Sequence, residues 1–82
     1  MKTLVNISVP AIQKEMDMLI PDFLSVGEVT GQVVRAVREE YGEVYQSSGE
    51  EVLCSKERNV ILDTDFSLKE NRVANGDTLI LI

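Results

Sequence analysis

From Thr3 to Val9 the chain alternates, with Thr3, Val5, Ile7 and Val9 on one side and Leu4, Asn6 and Ser8 on the other. Alternation of period two, rich in β-branched residues, predicts a half-buried strand. Pro10 has no N–H to offer a ladder and ends it. Lys14 to Ile20 alternates again, Met16, Met18 and Ile20 against Glu15, Asp17 and Leu19, and Pro21 closes that run. Two such strands joined by a short turn predict an N-terminal β-hairpin.

The period then changes. Ser25 followed by Glu28 has the spacing of a capping box, in which each side chain satisfies a free backbone N–H. Val26, Val29, Val33, Val37 and Tyr41 recur at intervals of three and four and form one apolar stripe, opposite Gln32, Arg35, Arg38 and Glu39. A helix over Val26 to Tyr41 follows, with Gly42 placed where a helix end favours positive φ. Valine is a poor helix former, so packing rather than propensity must hold this element.

Beyond the polar loop Gln46 to Glu51, Val52 to Ser55 and Val60 to Leu62 read as short strands around the turn Lys56 to Asn59. Asp63 to Asp65 reads as a turn, Ser67 and Leu68 as a single helical turn, and Asn75-Gly76-Asp77 as a tight turn into a closing strand, Thr78 to Ile82. The order β-β-α-β-β-β predicts an α+β domain over 1–82, a mixed sheet of four to five strands packed on one helix. The apolar run Leu79 to Ile82 suits a buried central strand parallel to the first.

Composition removes most chemistry. The 82 residues carry a net charge of −6 and include no His and one Cys. The commonest general base and metal ligand is therefore missing, and an internal disulfide is impossible. A lone cysteine fits a reducing compartment. The acidic balance disfavours nucleic acid and anionic lipid, which need clustered Lys and Arg. No apolar run approaches the ~20 residues of a membrane span, and polar Asn6 and Ser8 interrupt any signal-peptide core. A cytoplasmic, non-enzymatic protein with no cofactor is the expectation.

Three groups of residues carry candidate chemistry. Cys54 has no His neighbour to lower its pKa and reads as structural. Asp63, Asp65 and Asp77 could supply oxygen ligands to a hard cation, but the spacing lacks the glycine and distal Glu of a calcium loop, and turn chemistry accounts for all three. Glu39, Glu40, Glu43, Glu50 and Glu51 read as a solvated acidic stretch, with docking of a basic partner as the sharper alternative.

The element order, the second strand Met16 to Ile20, the capped helix from Ser25 and the closing segment from Ser67 through Leu68, Val73 and Asn75-Gly76-Asp77 to Leu79 together resemble the ubiquitin-like β-grasp fold. The resemblance spans nearly the whole chain and implies that Leu68 and Val73 plug the open end of the sheet. Ubiquitin and its sulfur-carrier relatives finish in a Gly-Gly tail, whereas this sequence stops at Ile82. A modifier or sulfur-carrier role is thus the disfavoured alternative. In length, ending and Asn-Gly-Asp turn the chain is similar to the YukD/EsaB group of type VII (WXG-type) secretion accessory proteins. That similarity implies a protein partner within a secretion apparatus.

Strand parity then suggests where the partner sits. With Val5 and Ile7 facing the helix, Leu4 faces away, and Ile80 and Ile82 alternate outward from Leu79 and Leu81. Leu53 is expected beside them, with Ile12 of the hairpin turn at the edge. The resemblance places ubiquitin's own aliphatic binding patch on this outer face, and either a partner or a second copy of the chain could cover it.

Overall fold

A computed structural model describes residues 1–82. Strands β1 (Lys2–Val9) and β2 (Lys14–Pro21) pair antiparallel without a bulge, from Lys2 opposite Pro21 to Val9 opposite Lys14. Pro10 opens a 3₁₀ turn over Pro10–Ile12, and Gln13, in the left-handed region at φ 54°, donates its N–H to the Pro10 carbonyl at 3.1 Å. The side chain of Ile12 packs half-buried against the core instead of joining the outer sheet face.

Helix α1 (Val26–Tyr41) begins at the expected capping box. The Ser25 hydroxyl accepts from the Glu28 N–H at 3.2 Å, and the Glu28 carboxylate accepts from the Ser25 N–H at 3.4 Å. The Val26 and Gly27 N–H groups donate to the Phe66 and Thr64 carbonyls at 2.8 and 3.0 Å. Every donor of the first three helical residues is thereby satisfied. Val26, Val29, Val33 and Val37 are buried along one face. Burying each contributes roughly 1.5–3 kcal/mol, against a propensity cost of about 0.5 kcal/mol per valine, so the stripe rather than the backbone preference makes the helix.

The helix ends differently from expectation. Gly42 is right-handed, at φ −61°, so it is not there for positive φ. A Cβ on it would lie 2.4 Å from the Arg38 carbonyl oxygen, and the glycine answers that close approach.

Strands β3 (Leu53–Ser55), β4 (Val60–Ile61) and β5 (Thr78–Leu81) complete a five-stranded sheet in the order β2-β1-β5-β3-β4. The closing strand lies parallel to β1, Ile7 beside Leu79, and antiparallel to β3. All other pairings are antiparallel, so the sheet is mixed. Leu68 and Val73 are buried as members of the hydrophobic core. Ser67 and Glu70 repeat the capping-box exchange of Ser25 and Glu28, and Ser25 and Ser67 bridge one another. No helix is long and apolar enough to cross a membrane.

Candidate interaction face

The sheet buries one face against α1 and leaves the other open. Register decides which side chains belong to which. Leu53 stands opposite Leu81 and Ser55 opposite Leu79, so these residues point inward. Leu53 is 1% exposed and belongs to the core, which corrects its expected place on the outer face. In its stead Cys54 faces outward, between Ile80 on β5 and Ile61 on β4. Ser55 occupies an inward position because its hydroxyl accepts from the Arg58 N–H at 3.1 Å, which satisfies the buried oxygen.

Two apolar patches result. The first is Ile80, Cys54 and Ile61 in one cross-strand row, extended by Ile82, which exchanges backbone hydrogen bonds with Val52 at 2.7 and 3.0 Å. Ile61 is 66% and Ile82 60% exposed. The second is Leu4 against Leu19. The Leu4 N–H donates to the Asn75 side-chain oxygen at 2.9 Å and its carbonyl accepts from Gly76 at 2.8 Å, both on the side away from β2. Leu4 and Leu19 therefore form a non-hydrogen-bonded pair, the closer kind of cross-strand contact. Between the patches runs a polar row, in which the Asn6 amide donates to Asp17 at 3.2 Å and the Thr78 hydroxyl to Asn6 at 3.5 Å.

Of the expected residues, Leu4, Ile80 and Ile82 lie on this face, whereas Leu53 and Ile12 do not. Leu19 and Ile61 join it, and Leu19 was visible from its alternation with Glu15 and Asp17. Phe23 and Phe66, the only phenylalanines in the chain, are both exposed beside the start of α1. Their signal was an aromatic lying outside every periodic run.

The turn aspartates and the acidic stretch have local roles. Asp63 accepts from the Asp65 N–H at 3.0 Å and Asp77 from the Ala74 N–H at 2.9 Å, each closing a turn. Glu51 of the acidic stretch is folded into its own loop, accepting from Tyr45, Ser48 and Gly49. The surface hollows lie along the exposed side of α1, between Gly31, Arg35 and Arg38 and beside the 47–51 loop, and are open and largely polar.

A family model described as "WXG100 protein secretion system (Wss), protein YukD" matches residues 4–81. No curated protein matches the chain. Among solved structures, the EccD5 ubiquitin-like domain from Mycobacterium xenopi superposes with a TM-score of 0.84 at 18% identity, covering 100% of this chain and 93% of that one. The ubiquitin-like domain of the Mycobacterium tuberculosis type VII secretion system protein ECCD1 gives 0.78 at 18% identity, covering 100% and 98%. A chain of an ESX-5 inner membrane complex gives 0.83 at 20% identity, and there the match covers 99% of this chain but only 20% of the larger one. At these identities the likeness shows the ubiquitin-like β-grasp fold.

Proposed function

The chain belongs to the YukD family of the WXG100 protein secretion system, and from that premise we propose that it is a non-enzymatic interaction module, a cytoplasmic accessory or regulatory component of a bacterial type VII secretion system that binds protein partners through the outer sheet face. Support comes from the row Ile80–Cys54–Ile61 with Ile82, a cross-strand run of aliphatic side chains left open on the sheet. Each Å² of such surface covered by a partner contributes roughly 25 cal/mol. Contiguous apolar area of this kind marks an interface more often than chance. Structural neighbours from secretion proteins, one of them within an inner membrane complex, point to the same setting.

Affinity capture from the native host, with partners identified by mass spectrometry, tests the proposal. The wild-type chain should recover a secretion-system component, and Ile80→Asp and Ile82→Asp should lose it while melting cooperatively. Ile82 is the more exposed of the two and guards against a folding defect at Ile80. Equal capture by both variants removes the outer face from the mechanism. Recovery of no secretion component overturns the setting.

A further inference from the structure

β2 is an edge strand of eight residues, and its backbone is only half used. Leu4 and Asn6 turn their N–H groups toward β5 and the loop before it, so Val5 and Ile7 are the residues that exchange hydrogen bonds with β2, at Met18 and Met16. By the same alternation the N–H and C=O groups of Glu15, Asp17 and Leu19 point away from the sheet, and no other segment of the chain bonds them. An unpaired row of this kind is a template for a further strand.

The side chains flanking that row differ on the two faces. Toward α1, Met16 and Met18 remain half-exposed although their partners Ile7 and Val5 are sealed, because nothing covers the outer flank of β2. The Lys14 ammonium at the start of β2 lies 6.0 Å from the Tyr41 ring centre. Methionine is unbranched and adapts to whatever enters. Toward the outer face stand Glu15 and Asp17, both exposed, then Leu19.

A second copy of this chain fits poorly. A two-fold pairs the edges antiparallel, which sets the outward-bonding residues Glu15, Asp17, Leu19 and Pro21 against one another. Registers centred on Glu15, Met16 or Asp17 place carboxylate against carboxylate, which is destabilising. Registers centred further along draw Pro21, which has no N–H, into the ladder.

We infer that the β2 edge takes an extended segment of a partner protein as a sixth strand, one that alternates apolar and basic residues. Its apolar side chains pack on the half-exposed Met16 and Met18, and its Lys or Arg side chains lie over Glu15 and Asp17. This edge is distinct from the Ile80–Cys54–Ile61 row on which the proposed function rests, so either can fail without the other.

The probe is an eight-residue capped peptide of alternating Lys and Val, matched to the length of β2 and titrated into isotope-labelled protein. The control is a peptide of the same composition with the lysines and valines in separate blocks. Saturable binding of the alternating peptide, with slowed amide exchange at Glu15, Asp17 and Leu19, is the expected result. Asp17→Pro removes one outward N–H at an edge position that tolerates proline and should weaken binding roughly three- to tenfold. Glu15→Lys, which leaves every backbone donor in place, should also weaken it. Equal binding of the blocked peptide, shifts centred on Cys54 and Ile80, or no saturation would each overturn the inference.

Discussion

The Tyr45 hydroxyl donates to the Glu51 carboxylate at 2.7 Å, and this contact ties the end of the helix to the approach of β3. The same carboxylate accepts from the Ser48 and Gly49 N–H groups at 3.2 and 3.1 Å. Burial alone would push the Glu51 carboxyl up, but hydrogen bonds from Ser47, Tyr45 and the backbone outweigh it and hold it at about 2, below the ordinary 4.5. Burial, then the bond and charge of Glu51, pushes the Tyr45 hydroxyl up to about 12.

That pair makes stability depend on pH in a stated direction. Between pH 4.5 and about 2 the unfolded chain binds a proton at Glu51 that the native chain does not. The contribution is full above pH 4.5 and lost as pH falls toward 2. At the alkaline end the raised Tyr45 contributes fully below pH 10 and loses its contribution as pH rises through about 12. Glu51→Gln should flatten the acid limb of urea-melt stability. Tyr45→Phe should cost about 1 kcal/mol at pH 7 and remove the late tyrosinate absorbance step.

Two glycines of the helix region separate cleanly. Gly31 is exposed in the middle of α1, and a Cβ there would meet nothing within 4 Å. Gly31→Ala should raise stability by about 1 kcal/mol through helix propensity. At Gly42 the same change drives a methyl onto the Arg38 carbonyl, so Gly42→Ala should destabilise by roughly 1–3 kcal/mol. Chemical denaturation of the two variants side by side reads the opposite signs.

The helix was legible in the sequence because three signals agreed, the Ser25–Glu28 box, the valine spacing and the glycine after Tyr41. The hairpin was equally legible, since eight residues of alternation leave only one parity. β3 was not, because three residues are too few to show alternation and their polarity misleads. Ser55, the polar residue, is buried, while Cys54 beside it faces out. Only pairing with β5 decides that parity, and pairing between residues so far apart in sequence leaves no local mark. Of the outer-face residues read from sequence, Leu4, Ile80 and Ile82 are therefore in place, Leu53 is on the wrong side and Ile12 packs against the core.

Leu53 provides the sharpest check on that parity. Inward and sealed against Leu81, it should cost roughly 2–5 kcal/mol when changed to Ala. Ile82→Ala, at a position 60% exposed, should change stability by no more than about 0.5 kcal/mol. Thermal melts that gave both residues similar small costs would return Leu53 to the surface.

Cys54 makes the outer face measurable without introducing a label site, since the chain has no second cysteine. Its thiol stands half-buried in the row between Ile80 and Ile61, so side chains on both neighbouring strands limit a reagent's approach. Trimming the more exposed neighbour, Ile61→Ala, opens that approach from the sheet's β4 edge and should speed alkylation by a maleimide. Leu4→Ala, in the separate patch beyond the polar row, should leave the rate unchanged. An occupant of the outer face should slow the reaction, whereas the alternating Lys-Val peptide, seated along β2, should not. If the peptide slowed Cys54 as strongly as it protected the β2 amides, the two surfaces would be one.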